Sequence, residues 1–290
     1  MTTYPHTGSK PLERFVYFVD ERERIRKRKA ANKQVLTQDP ILRKYRFCCV
    51  RREDDRVTLW IAKNWRRTDD PNVWHAMIIA RFINWPATLE WCGYPEPWTT
   101  TRTPKFATKL KEMEAAGHRI FTGAYIVSTN GATGSKVDHV LRLFDRSWID
   151  LHKRIHTRRT CQSFYETLRS VNGIGSFMAA QVVADVKYTD MLKEAPDWMD
   201  FVAPGPGSQR GLNRVYEGGK YELHAQWNND AFQKALLNLR RDAGKLLPLV
   251  KDLHLQDLQN CLCEFDKYER VLHNQGKPRS TYHPSTVPLP

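Results

Sequence analysis

The stretch SFYETLRSVNGIGSFMAAQVVADV, residues 163–186, decides how this chain folds. Phe164, Leu168 and Val171 recur at helical spacing and give its first half one apolar face. The pattern breaks at Gly173-Ile174-Gly175 and resumes with Met178, Ala179, Val182 and Val183. Glycine lets a backbone turn tightly and approach another backbone closely. The expectation over residues 157–186 is therefore two helices joined by a tight bend. Ile174 plugs the gap between them, and Ser176 caps the second helix. Amides at such a bend and at a helix N-terminus point outward, toward an anion. Asn172, Gly173, Ile174, Gly175 and Ser176 are thus candidate contacts for a phosphate backbone. A plain helical hairpin that binds nothing would share the same pattern.

Outward from this bend the helical patterns continue. Helices are expected over residues 13–33, 57–65, 72–84, 104–116, 231–247 and 255–271, with one long helix or two over 136–159 and a short strand or buried turn at 124–128. Residues 193–219 read as irregular, being rich in Gly and Pro. The fold class is mainly α. The expected organisation is a basic arm and helix over residues 1–35, one helical catalytic domain over 36–273, and a loosely ordered tail over 274–290. Hydrophobic residues are 41% of the 290, enough for a sizeable core, and the formal net charge is +14. Such an excess draws polyanions, nucleic acid foremost. No apolar run is long enough for a membrane span, so a cytoplasmic location and no membrane partner are expected. The six cysteines form no CxxC pair and no zinc spacing; no metal site and no cofactor are expected.

The bend resembles the helix-hairpin-helix of DNA repair glycosylases, which holds a duplex by its phosphates without reading sequence. In those enzymes a catalytic aspartate lies a little over twenty residues past the glycines. Asp197 or Asp200 occupies that place here. It is followed by APGPGSQRGLNR, residues 203–214, an insertion relative to the glycosylase pattern. Small residues with free amides, a hydroxyl and arginines suit a phosphate group. Gly205, Gly207, Ser208, Arg210 and Arg214 are its candidate ligands, unless the segment is an ordinary surface loop.

Further on, QDLQNCLCEFDKYER, residues 256–270, places Asp257, Asn260 and Glu264 on one helix face. Asp200, Glu264, Asp266 and Lys267 are the candidate catalytic residues, a general base for an amine or hydroxyl among them. The Glu264–Lys267 pair reads equally as a surface ion pair. The dense run Arg51, Arg52, Glu53, Asp54, Asp55 and Arg56 is either a zwitterion-binding cluster or a structural ion network.

Together with KYRFCCVRREDDRVTLWIAKNWR (44–66), RFINWP (81–86), FTGAYIVS (121–128) and QNCLCEFDKYER (259–270), these segments resemble a phage family of DNA base hypermodification proteins. These are the α-glutamyl/putrescinyl thymine pyrophosphorylases, or amino acid:DNA transferases, which are related to the helical domain of 5-hydroxymethyluracil DNA kinases. The resemblance implies a glycosylase-like helix-hairpin-helix fold. It implies a double-stranded DNA substrate carrying a phosphorylated 5-hydroxymethyl group on a thymine-like base, and replacement of that phosphate by an amine or amino acid. A 5-hydroxymethyluracil DNA kinase would act upstream as a partner. A flipped base would stack on Trp65, Trp85 or Tyr125. Arg51, Arg52, Asp55, Asn84, Trp85, Tyr125 and Asn213 are the candidate substrate contacts. A P-loop needs GxxxxGK[ST], and Gly131-Ala132-Thr133-Gly134-Ser135-Lys136 lacks that spacing, so this chain is not expected to be a P-loop kinase by itself. The alternatives are a glycosylase for a modified base and a non-catalytic DNA-binding helical partner of the kinase.

Overall fold

A computed structural model describes residues 8–98, 104–123, 133–216 and 222–282. Among them the chain forms α1 (Pro11–Ala30), α2 (Pro40–Lys44), α3 (Arg56–Asn64), α4 (Val73–Ile83), α5 (Pro86–Cys92), α6 (Lys105–Ala115), α7 (Lys136–Leu151), α8 (Cys161–Arg169), α9 (Ser176–Val186), α10 (Pro206–Val215), α11 (Asn229–Leu246) and α12 (Leu255–Leu272). No strand forms among the described residues, so the mainly helical class stands. No helix there is long and apolar enough to cross a membrane. The expected strand at 124–128 lies outside the described residues. The chain divides into two compact units, residues 56–198 and residues 1–55 with 199–290.

The middle unit is built around α4, all of whose residues are buried. It packs against α7 and α9, and α9 against α8. Thr160 and Ser135 close capping boxes at the starts of α8 and α7, which satisfies orphan amides there. Arg81 of α4 and Asp185 of α9, both buried, join through two hydrogen bonds of 2.5 and 2.6 Å. Arg66 adds a third contact to the same carboxylate at 3.3 Å. Burying such a charge is tolerable only because it is paired and hydrogen-bonded.

In the other unit α12 is the axis on which α1, α2, α10 and α11 pack. Arg14 of α1 and Glu269 of α12, each almost wholly buried, hold each other in a two-pronged ion pair, with Nε–Oε1 at 2.9 Å and Nη2–Oε2 at 2.7 Å. Phe15 and Phe18 pack their rings on Phe265 beside this clamp.

Three local expectations need correction. Residues 193–219 are not irregular throughout, because α10 runs through them. Pro206 stands in its first turn, where a missing N–H costs nothing, and Gly207 and Gly211 face α12. A Cβ on Gly211 would lie 2.0 Å from the Leu262 carbonyl oxygen, and one on Gly207 would lie 2.5 Å from Cys263 Sγ. These glycines serve close helix packing rather than looseness. Of the one or two helices expected over 136–159, α7 stops at Leu151 and only a 3-10 turn follows, at Ile155–Thr157. Arg158 and Arg159 are therefore not at the end of α7. Finally, Gly175 and not Ser176 is the N-cap of α9, and no side-chain cap is made there.

Candidate functional site

The bend between α8 and α9 is on the surface. Asn172, Gly173, Gly175 and Ser176 are exposed, while Ile174 is 3% exposed and fills the gap between the helices. The Ile174 amide closes the turn on the Val171 carbonyl at 3.0 Å. Gly173 has φ +104°, a left-handed value that side chains avoid, and a Cβ there would meet Leu143 Cδ1 at 2.8 Å. Both facts demand glycine at this position. Two arginines fasten the bend from α7 and from just beyond it. Arg146 donates to the Asn172 carbonyl at 3.0 Å, and Arg154 donates to Ser170 Oγ at 2.5 Å. Arg169 lies over the Tyr165 ring. An exposed glycine turn, the N-terminus of α9 and three guanidiniums thus share one edge of the unit, a combination that attracts phosphate. Asp197, one of two candidates for a glycosylase-type aspartate, is used otherwise. Its carboxylate accepts the Cys161 and Gln162 amides at 2.8 and 2.9 Å and anchors the start of α8.

The other candidate residues of this unit do not gather at the bend. Asn84 is the left-handed C-cap of α4, with φ 46°, and its Oδ1 accepts from Arg81 at 3.3 Å. Trp85 is half-buried under Arg119, whose guanidinium sits 3.9 Å above the ring. Trp65 is 2% exposed and belongs to the core. Tyr125 lies outside the described residues. The sequence reading missed a pocket of about 360 Å³ lined by Arg67, Asp70, His75, Tyr94, Trp98 and Trp148. Burial pushes His75 down to about 4, so its ring is neutral. No sequence signal marks this pocket, because its lining comes from separate segments.

The second cluster is built on α12. Asp257, Asn260 and Glu264 do share a face, and that face grips residues 48–52. Glu264 accepts the Cys48 amide at 3.1 Å, Asn260 donates to the Cys49 carbonyl at 3.1 Å, and Asp257 accepts the Arg52 amide at 2.8 Å. The run of charges at 51–56 engages α1. Arg51 and Arg26 both reach Glu23, and Arg26 also reaches Asp54 at 3.2 Å. The Arg52 guanidinium differs, since its Nε and one Nη are buried with no hydrogen-bond acceptor among the described residues. Asp55 closes the short turn at 52–54 through its amide, which donates to the Arg52 carbonyl at 3.0 Å.

Toward α10, Asp266 collects arginines. Arg210 Nε lies 3.1 Å and Arg214 Nε 2.9 Å from its oxygens, and Arg270 Nε lies at 3.5 Å. Asp266 is 1% exposed, whereas Arg210 and Arg270 are about one-third exposed at 30% and 33%. Three guanidiniums on one carboxylate leave two positive charges in excess. Lys267, also one-third exposed, bonds Glu264 at 2.5 Å. Burial alone would lower the Lys267 ammonium, but the Glu264 carboxylate more than offsets this and holds it above its ordinary range. Burial, reinforced by Glu264, pushes the neighbouring Cys263 thiol up to about 11, so it is no nucleophile at neutral pH.

Around this cluster the remaining candidates have structural partners. Ser208 is buried and exchanges hydrogen bonds with the Gly205 backbone at 3.0 and 2.9 Å. Gly205 is the N-cap of α10. Asn213 is spent on residues 223–227, donating to the Leu223 and Ala225 carbonyls and accepting from Trp227 Nε1 at 2.7 Å. Asp200 pairs with Arg240 of α11 at 2.8 Å and is the most exposed of the candidate carboxylates, at 43%. Arg270 was not foreseen. Its signal was available, since it lies four residues past Asp266 and hence on the same helix face. No group of His, Cys, Asp and Glu suited to a metal ion occurs among the described residues.

The chain is 23% identical over 291 residues to a 5-hmdU DNA kinase of Bacillus phage SP10. That match covers 91% of this chain and 46% of the phage protein, so the chain spans less than half the length of this relative. No solved structure matches the chain significantly. Residues 9–278 match the helical domain of 5-hmdU DNA kinase, and the chain belongs to that family.

Proposed function

We propose that the chain is a transferase in the hypermodification of thymine-type bases in phage DNA, displacing the phosphate of a 5-phosphomethyluracil base with an amine such as an amino acid. The observation that carries this reading is the arginine cluster on Asp266. Its two uncompensated charges match the dianion of a phosphate monoester, which leaves as the carbon–oxygen bond breaks. Arg210, Arg270 and Lys267 take up the charge that grows on the departing oxygen, and Asp266 holds the arginines in place. The amine nitrogen bonds to the exocyclic methylene carbon, and its surplus proton passes to Asp200, the most exposed of the candidate carboxylates. Arg52, with buried nitrogens lacking an acceptor, suits the carboxylate of an amino acid co-substrate. The bend at residues 172–176 grips the duplex backbone as in a helix-hairpin-helix. The family membership supports a phage DNA-modification role.

The test is mass analysis of nucleosides after incubating phosphomethyluracil DNA with the protein and a pool of amines. A heavier nucleoside is expected. An abasic product would mean a glycosylase instead. Arg210→Ala should abolish turnover and spare duplex binding.

A second reading has its own support, because the family match is to a helical domain and the phage kinase is more than twice as long as the aligned region. On that reading the chain is a DNA-binding helical partner of a kinase. Unchanged nucleoside mass with retained duplex affinity would favour it.

A further inference from the structure

We infer that Phe177 is a wedge that packs against a base step of the strand held at the α8–α9 bend. The inference rests on the reading of that bend as a backbone grip. Phe177 is the second residue of α9 and is 53% exposed. The facing helix is well packed, with Phe164 and Tyr165 at 0% and 3% exposed. Helical side chains lean toward their own N-terminus. From its position the ring therefore leans back over the first turn, the side on which the amides of Gly175 and Ser176 open. Arg146 and Arg154 bond to the Asn172 carbonyl and to Ser170 Oγ, so their guanidiniums lie at the residues that lead into the same bend.

Ile149 adds a second exposed apolar group, 56% exposed and three residues from Arg146 on α7, hence on the same helix face. Residues 142–177 carry seven Lys and Arg against three Asp and Glu. A large apolar ring within a cationic field fits a partner that is both polyanionic and flat-faced. Nucleic acid meets both demands: phosphates pair with the arginines, while a partly unstacked base step receives the ring. A membrane or an acidic peptide would satisfy the charge but offers no stacked plane at the depth of one side chain.

The decisive experiment measures duplex affinity over a series of salt concentrations for the wild type, Phe177→Ala and Arg146→Ala, with 2-aminopurine in the duplex to report unstacking. Phe177→Ala should weaken binding on the order of fivefold or more at every salt concentration. Its slope of log affinity against log salt should be unchanged, because no phosphate contact is lost. Arg146→Ala should flatten that slope by about 0.9. The wild type should raise 2-aminopurine emission, and Phe177→Ala should not. If Phe177→Ala binds and unstacks DNA as the wild type does, the wedge is wrong and the grip stands. If the wild type shows no salt-dependent affinity for DNA, the grip itself falls and the wedge with it.

Discussion

Replacing Asp266 by Asn keeps the shape of the side chain and removes the one negative charge shared by Arg210, Arg214 and Arg270. Breaking a buried pair by neutralising one partner costs about 3–5 kcal/mol, because the other charge is left uncompensated. The three arginines do not weigh equally. Arg210 and Arg270 are 30% and 33% exposed, so water screens them, whereas Arg214 at 8% exposure carries most of the penalty. The lower end, about 3 kcal/mol, is the expectation. For a chain of 290 residues that corresponds to a fall in Tm of about 5 °C. The same logic predicts rescue. An anion such as sulfate or inorganic phosphate can take the place of the lost carboxylate, so Asp266→Asn should gain more thermal stability from phosphate than the wild type gains. A concentration ten times Kd contributes about 1.4 kcal/mol. Thermal melts of both proteins across a phosphate titration give the answer. A variant melting within about 2 °C of the wild type would refute the placement of buried charge that this estimate assumes.

The remaining predictions concern packing and protonation. Gly211→Ala should destabilise by about 3 kcal/mol or more, since the added carbon meets backbone, while Gly207→Ala should cost less because the Cys263 side chain can turn aside; chemical denaturation of the two single variants measures the contrast. Ile174→Ala should cost about 2–5 kcal/mol in the same assay, because a 3% exposed plug is removed from between two helices. His75 has a folded pKa of about 4 against an ordinary 6.5. Its neutral form is built into the fold, so stability is full above pH 6.5 and falls as the unfolded chain takes up a proton the folded chain refuses. The loss should reach roughly 3 kcal/mol near pH 4 and then level off. His75→Gln should flatten this part of the stability profile, and a slope identical to the wild type's would count against His75 as its origin.

The bend was legible because two signals coincide there: an apolar period that stops, and glycines that let the backbone turn tightly. Ile174 between them is the only apolar side chain, and its burial follows. α10 was not legible, because Gly205, Pro206, Gly207 and Gly211 read as a loop by composition. Its helix depends on α12, whose backbone comes so near that only glycine fits, and this information sits fifty residues away in the chain. The polar face of α12 lay between these cases. Spacing placed Asp257, Asn260 and Glu264 together, but spacing says nothing about what a face meets. The partner turned out to be main chain at residues 48–52, over 200 residues distant in sequence. The charge run at 51–56 was ambiguous for the same reason, since Glu23 and Arg26 on α1 claim part of it.

That partnership bears on what the α12 cluster can do. A carboxylate inside a helical unit needs donors for its lone pairs, and here they include the Arg52 amide and the His254 ring for Asp257, an amide and Lys267 for Glu264, and guanidiniums for Asp266. The acids are thereby turned inward and committed, whereas the groups left reaching solvent at the same place, Arg210, Arg270 and Lys267, are all cationic. The exposed chemistry of the cluster is therefore that of an anion receiver, although its composition of acids and bases is nearly even. An acid–base catalyst would show the reverse, with a carboxylate at the surface and cations behind it. Asp200, at 43% exposure, is the one candidate that fits the catalyst description, yet it pairs with Arg240 on α11 and not with the arginines of Asp266. Separating these roles needs two variants measured side by side. Asp200→Asn should lower turnover with little change in phosphate-dependent stabilisation, and Arg210→Ala should diminish both. If Asp200→Asn instead weakened phosphate-dependent stabilisation as strongly as Arg210→Ala, the division between proton acceptor and anion receiver would be wrong.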